Sequence, residues 1–431
     1  MSKQIISGWG NLFPKLCDIE DCDAYQGLEN LLSKQVALRG NGRSYGDSAI
    51  GENIVRTLRC SDILDFDEVN GIVTITSGIT IGALNSITIK KGWFVPVSPG
   101  TSFVTVGGAI ASDIHGKNHH KMGSFCDHLV SFDLILGSGD SLTVSCNENS
   151  DLFNATCGGM GLTGIITIVR LRLIKIGSAF IRLKEFKTNS LEETLHLMEK
   201  NKNEFYTVAW VDFMSERSLG RGIVSVGNHY DNGDLNFERS KAVSIPFNAP
   251  NKLLNNWSIR LFNSLYYYKT SSKASLVGIN NFFYPLDKIQ NWNLLYGKRG
   301  FFQYQFCIPS NLGTQGLREY FNIAKKYDQY SFLAVLKVFG EGNSNFLSFP
   351  FKGLTMALDF PFNKTSLKMV KDFHLLTQEQ GGRVYLAKDR FVTKEVFETM
   401  YPDLEKFQKV REKYLAVGRF SSDQSKRLGL N

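Results

Sequence analysis

Two glycine-rich loops constrain this chain more than any other feature. Residues 39–47 read RGNGRSYGD and residues 98–116 read SPGTSFVTVGGAIASDIHG. Glycine tolerates positive φ and close approach, so successive backbone N–H groups in such loops can converge on one concavity and hold a diphosphate with no long helix behind it. Either loop alone is as readily an ordinary sheet turn. Together, with strand-like runs such as GIVTITSGITIG between them, they suit a long phosphorylated ligand. A literal GxGxxG at Gly159, Gly161 and Gly164 is a decoy. A Rossmann fingerprint needs a strand before it and a helix after it, whereas here DLFNATC precedes and the β-patterned IITIVRLRLI follows. These glycines read as a turn where backbone approaches a ligand or another strand.

The chain has 431 residues, enough for two large lobes or three smaller units. With 43% hydrophobic and 21% charged residues it is neither disordered, collagen-like nor a coiled coil. It contains no run of about 18 apolar residues, and MSKQIISGWGNLFPK lacks the parts of a signal peptide. The expected location is the cytoplasm. Seven cysteines form no CxxC pair and no zinc spacing, so they read as reduced thiols. A net charge of +8 favours an anionic ligand or membrane surface, and no stripe of it points to nucleic acid.

The hairpin signature VSFDLILGSGDSLTVS argues against a doubly wound sheet. From about residue 178 the texture changes. Ser190 and Glu193 form a capping box before SLEETLHLMEKNK, a helix follows Ser310, the strands GFFQYQFCIP and YSFLAVLKVFG are unusually aromatic, and VTKEVFETMYPDLEKFQKVREKY is helical and charged. The expected fold class is α+β, with an antiparallel sheet and flanking helices in the second part.

Several residues invite chemistry. Asp113, His115, Lys117, His119 and His120 admit a metal cluster or a structural loop with solvated histidines; adjacent histidines facing apart in a strand count against the metal. A period of two puts Gln303 and Gln305 on one strand face, either solvated or lining a site, and Phe302, Tyr304 and Phe306 on the other. Lys388 reads by itself as a surface cation. In NKLLNNWSIRLFNSLYYYK, Leu254, Trp257, Leu261 and Leu265 recur at helical spacing between Lys252, Arg260 and Lys269. That pattern fits a membrane-surface helix or a core helix, and core is preferred because amphipathic helices more often pack inward.

The two loops and the turn GGMGLTGI resemble the flavoprotein superfamily typified by vanillyl-alcohol oxidase. The runs DIHGKNHH, GSFCDHLVSFDLIL, FFQYQFCIP, YSFLAVLKVFG, LDFP and GGRVYLAKD, recurring from about residue 36 to the C-terminus, resemble the decaprenylphosphoryl-ribose oxidase family within it. This resemblance implies an FAD-binding domain over residues 1–178, a substrate-binding domain over 179–382 and a segment 383–431 returning to the first. It assigns FAD to Arg39, Gly40, Asn41, Gly42, Arg43, Ser44 and Tyr45 of the first loop. From the second loop it takes Gly100, Thr101, Thr105, Val106, Gly107, Gly108, Ser112, Ile114, His115, Gly116 and Asn118, and from elsewhere Gly161, Gly164, Ile165 and Tyr385. Substrate would meet Tyr45, Lys117, Tyr266, Gln303, Gln305, Lys337, Thr355, Asp359 and Lys388. His115 and Lys388 are both candidates for the catalytic base.

The family reaction so implied is oxidation of a lipid-linked phosphosugar at C2, with a short-chain reductase partner completing an epimerisation, peripheral membrane contact and no metal. Alternatives are an oxidase of soluble alditols or aldonolactones and a catalytically silent flavin scaffold. Related oxidases often carry RGxGHS, whose histidine bonds the flavin covalently; this chain has Arg43 there, so the FAD is expected to be non-covalent. Mycobacterial members carry a cysteine beside the flavin where this chain reads Ala357, and Thr355 replaces an asparagine.

Overall fold

The structure is a computed structural model and describes residues 2–23, 25, 33–214, 220–237, 242–250 and 255–431. Leu254 and Lys252 of the candidate amphipathic segment lie outside the described residues.

The architecture is α+β. Near the N-terminus a four-stranded sheet runs in the order Ser2–Ile6, Lys15–Asp21, Asn53–Arg56, Ala37–Arg39, with both pairs made by Asn53–Arg56 parallel. A five-stranded antiparallel sheet follows, and its strands Leu129–Ile135 and Ser141–Val144 form the hairpin that their glycine turn foretells. The decoy glycines join helix Ser150–Thr156 to strand Ile165–Arg172, which is helix then strand, the reverse of a Rossmann unit. Gly161 sits there at φ 75°. At Gly164 a Cβ would lie 2.6 Å from the Ile135 carbonyl oxygen, so the turn is glycine because two strands close on it.

The chain then builds an eight-stranded antiparallel sheet from Phe180–Thr188 to the edge strand Arg383–Val384. Next to that edge, strand Phe301–Pro309 is buried along nearly its whole length, paired with Gly353–Pro361 on its other side. The alternation found in the sequence is realised. Phe306 stacks on Tyr320 at 3.7 Å and Tyr304 packs on Phe373, both partners belonging to helices Gly313–Lys326 and Lys364–Glu379 behind the sheet. Gln303 and Gln305 face the other way and are buried, which removes the solvated-face reading. Ser190 caps helix Leu191–Lys200 by accepting the Glu193 N–H, but the Glu193 carboxylate accepts from Asn189 rather than closing the box on Ser190.

After the edge strand the chain returns to the N-terminal sheets. Val36 bridges Phe420, and Arg427 pairs with both Asp47 and Asp389. The buried Arg411 donates to the carbonyls of Leu162, Phe420 and Leu430.

One preference of the sequence reading is reversed. In helix Asn256–Lys269 the inward residues are Ile259, Asn263 and Tyr267, while Trp257 is 73% and Leu265 62% exposed. Asn263 turns inward because its amide donates to the buried Asp212 at 2.8 Å, and Ile259 and Tyr267, one turn either side, follow it.

Candidate active site

A cavity of about 810 Å³ lies between the glycine loops and the large sheet, near the upper end of the range for small-molecule sites, about 300–1,000 Å³. One wall is main chain. The Asn41 amide donates to the Phe103 carbonyl at 2.9 Å, and at Gly40 a Cβ would stand 2.2 Å from Thr105 Oγ1, so the two loops touch and the contact requires glycine. Gly42 turns the first loop at φ 61°. Thr105 accepts the Gly108 N–H and starts the short helix Val106–Ala111.

Most of the loop residues assigned to FAD line this cavity: 39–45, Gly100, Thr101, Thr105, Gly107, Gly108, Ser112, Ile114, His115 and Gly116, joined by Gly161, Gly164, Ile165 and Tyr385. Val106 and Asn118 do not. Val106 is a core residue pointing away from the cavity, and Asn118 is fully buried with its amide spent on the Pro96 carbonyl.

Two buried nitrogens on this side have no partner among the described residues, Arg43 Nε and His115 Nδ1. The Arg43 guanidinium lies 4.4 Å from the Trp9 ring centroid and 4.8 Å from that of Phe103, which holds it flat between aromatic faces. The lining adds a cation to a glycine cradle and leaves donors unsatisfied. That donor set fits the diphosphate and polar ring edge of FAD.

The second wall is side chains. Gln305 donates from its amide nitrogen to His115 Nε2 at 2.9 Å. An amide NH2 only donates, so His115 accepts at Nε2 and carries its proton on Nδ1. Burial, with Lys337 and Lys388 nearby, holds its pKa well below the usual value and keeps the ring neutral. Rings of Phe339, Phe349 and Tyr385 surround it, and the Tyr385 hydroxyl donates to the Ser112 carbonyl.

His119 and His120 follow on a helical turn, not a strand, and neither is solvated in the way the loop reading supposed. His119 accepts the Gly340 N–H, and His120 Nε2 meets the Glu204 carbonyl. Asp113, at φ 36°, accepts from Asn343, Asn345, Ser348 and the Cys126 N–H, which strap the loop that carries His115.

Three lysines converge on the cavity: Lys117, Lys337 and Lys388. Burial and mutual repulsion push Lys117 down to about 7, and burial takes Lys337 to about 8. Lys388 is lowered mainly by burial, against the attraction of Asp359, and its Nζ lies 3.9 Å from the Tyr45 ring centroid. Lys117 donates to the Phe282 carbonyl.

The sheet face corrects two assignments. Gln303, Gln305, Lys337 and Ala357 of the sheet and Tyr266 of helix Asn256–Lys269 line the cavity, but Asp359, paired across the ladder with Gln303, and Thr355 are buried beside them and do not line it. Asp359 accepts from the Gln303 amide at 2.5 Å while its Oδ2 has no partner among the described residues. Thr355 accepts from Gln305 at 3.3 Å and donates to the Phe306 carbonyl, so it orients Gln305. Among the cavity residues that the sequence does not assign, three make polar or cation-holding contacts. Trp9 holds Arg43; Asp287 accepts from the Ser102 N–H and hydroxyl; Glu185 accepts from Ser225 and offsets Lys117. None of the three belongs to a motif.

The family model for the FAD binding domain matches residues 30–145, and that for D-arabinono-1,4-lactone oxidase matches residues 344–428. The chain is 34% identical over 451 aligned positions to decaprenylphosphoryl-β-D-ribose oxidase of Mycolicibacterium smegmatis, covering 99% of this chain and 97% of that protein. Over 420 positions it is 24% identical to L-gulonolactone oxidase of Mus musculus, 90% of this chain and 88% of that one. Over 182 positions, 39% of this chain and 35% of the other, it is 26% identical to Delta(24)-sterol reductase of Homo sapiens. The glycine cradle, the neutral histidine beside three lysines and the end-to-end likeness converge: the chain belongs to the decaprenylphosphoryl-β-D-ribose oxidase family of FAD-dependent oxidoreductases.

Proposed function

We propose that the protein oxidises the C2 hydroxyl of a polyprenyl-phosphoryl pentose to the 2-keto sugar, with FAD held non-covalently. A short-chain reductase partner then returns the ketone to the epimeric alcohol, supplying arabinose for a cell-wall or surface glycan. The observation that carries this reading is the convergence of Lys117, Lys337 and Lys388 on one cavity, facing a paired-glutamine strand. Lysine is a point-charge partner for phosphate, and Gln303 and Gln305 present amides to sugar hydroxyls.

When bound, FAD supplies a hydride acceptor for the C2–H bond. The residues divide the remaining work. With its Nε2 lone pair taken by Gln305 and its proton on Nδ1, His115 is a donor and not a base. Lys388, lowered by burial toward neutrality, has the free lone pair to take the hydroxyl proton. Once protonated it is a fixed cation, well placed to offset negative charge gained by the cofactor. Thr355 and Asp359 hold Gln305 and Gln303 from the adjacent strand. Arg43 supports non-covalent binding, because a guanidinium makes no histidyl-type linkage and this one is clasped by Trp9 and Phe103.

A second reading, oxidation of a free aldonolactone, is favoured by the D-arabinono-1,4-lactone oxidase match over residues 344–428. Anaerobic titration of the yellow protein separates the two. Polyprenyl-phosphoryl ribose should bleach the flavin band and leave a 2-keto sugar in the extract. Bleaching by free lactones, with no response to the phosphosugar, would select the second reading.

A further inference from the structure

Two of the seven cysteines stand face to face. Cys22 Sγ and Cys60 Sγ are 3.4 Å apart, and the Cys60 thiol donates to the Cys22 carbonyl at 3.2 Å. Both side chains are buried, and the proposed oxidation uses neither. Cys22 follows strand Lys15–Asp21, and Cys60 lies just beyond strand Asn53–Arg56, its parallel neighbour. Parallel pairing sets the strand ends side by side, and the Cys22 N–H donates to the Arg56 carbonyl at 2.9 Å. A disulfide, with sulfurs about 2.05 Å apart, asks for an approach of roughly 1.4 Å and no change of strand partner.

The pair is buried but not deep. Asp23 and Arg59, next in sequence to the two cysteines, are exposed and paired with each other at 3.0 Å. An exposed ion pair is weak, so the outer side of the dithiol is closed by side chains that part easily for a small solute.

On the inner side both cysteines are tied to the cofactor cradle. The Cys60 N–H donates to the Thr57 carbonyl and the Thr57 N–H to the Arg39 carbonyl, both at 3.0 Å, and Thr57 and Arg39 line the cavity. The Cys60 carbonyl accepts the Gly78 N–H at 2.9 Å, and the adjoining Ser77 carbonyl accepts the Gly107 N–H of the second glycine loop at 2.8 Å. The apolar cluster that holds both thiols also holds Ile165 of the cavity and Phe420 of the returning C-terminal segment.

We infer that Cys22 and Cys60 are a redox modification site, which a peroxide converts to a disulfide that braces the FAD cradle. One sulfur, as thiolate, attacks an oxygen of hydrogen peroxide; the O–O bond breaks, hydroxide leaves and the sulfur becomes a sulfenic acid. The other thiolate attacks that sulfur, the S–O bond breaks and a second hydroxide leaves. The proton shed by each thiol turns each hydroxide into water. Two thiols and one peroxide thus give one disulfide and two waters, with two electrons passing from sulfur to peroxide oxygen. The ring so closed runs from residue 22 to residue 60 and contains the whole loop 39–47, so the bond limits how far that loop can open. The inference holds for any substrate, because it concerns only the cradle.

The test compares the holoprotein after hydrogen peroxide with the same protein kept in a phosphine reductant. Peroxide should remove two alkylatable thiols per chain, peptide mapping should join Cys22 to Cys60, and reductant should restore both thiols. The urea concentration at which flavin fluorescence appears should rise in the bridged form by about 0.5 M or more. Cys60→Ala and, as a second variant, Cys22→Ala should each abolish both the bridge and this shift. Neither residue lines the cavity, so the visible spectrum and FAD content of the variants under reductant should match the wild type.

The inference is overturned if the native holoprotein forms no bridge, if the bridge joins other cysteines, or if bridged and reduced wild-type proteins lose their flavin fold at the same urea concentration. A peroxide effect that survives in the alanine variants overturns it as well, by placing the oxidation elsewhere in the chain. None of these results bears on the proposed function, which the anaerobic titration decides.

Discussion

The two walls of the cavity are built from different materials. The loop wall is main chain, shaped by glycines that no Cβ could replace at Gly40 and by the positive φ of Gly42. The sheet wall is side chains braced by neighbours on the adjacent strand, Gln303 by Asp359 and Gln305 by Thr355. A wall of backbone recognises what many sequences must recognise in common, because its chemistry is the peptide group. A wall of side chains is free to change substrate one residue at a time, since register is fixed by the ladder and not by those residues. Damage to the two walls should therefore have separable consequences.

The largest expected effect comes from a side chain in the turn that follows the edge strand. Lys388→Met should slow flavin reduction by about 10²-fold or more in anaerobic single-turnover measurements while leaving FAD content intact. An unchanged rate removes Lys388 as base and charge partner. The complementary change is Gly40→Ala, whose new methyl meets Thr105 Oγ1. Overpacking costs of about 1–3 kcal/mol should appear as FAD lost during purification, with near-normal rates in whatever fraction stays yellow. A variant that keeps full FAD but turns over slowly would merge the two walls into one functional unit.

A subtler contrast is in pH. Unfolded lysines titrate near about 10.4, whereas Lys117 and Lys337 in the fold are pushed down to about 7 and about 8. Between about pH 8 and 10 the ligand-free fold thus holds fewer protons than the unfolded chain, and its stability rises with pH through that window. A phosphosugar reverses the bias by raising both lysines. Its binding should take up protons near pH 8, and affinity should fall by up to about tenfold per pH unit and proton above that. Calorimetry in buffers of different ionisation enthalpy measures the uptake, and affinity constant from pH 7 to 9 would detach the lysines from the phosphate. The smallest signal concerns the loop side alone: acid precipitation should release all yellow colour into the supernatant, and a yellow pellet would mean that a covalent bond forms despite Arg43.

Legibility in the sequence follows the same division. The glycine wall was readable because positive φ and close approach restrict residue type, so RGNGRSYGD and the 98–116 loop stand out without a partner in view. Strand parity placed Gln303 and Gln305 on the site face, but parity does not say which residues of a face reach the cavity, and Asp359 and Thr355 bond the glutamines instead of lining it. Helix Asn256–Lys269 carries two apolar stripes, and the choice between them is made by one hydrogen bond, Asn263 to Asp212, formed across 51 positions of sequence. Trp9, Asp287 and Glu185 reach the site by tertiary placement alone.

The clasp of Arg427 on Asp47 and Asp389 joins the first glycine loop to a residue 380 positions later. On the ribosome that separation becomes a matter of time. Chain emerging at about 5–20 residues per second leaves the loop without its clasp for some twenty seconds or more. The lobe that would cradle the cofactor is therefore completed only after the large sheet between its parts has had time to form. A nascent chain stalled short of Arg427 would carry a formed sheet and an unfinished cradle, and cofactor capture would report that Arg427 had emerged.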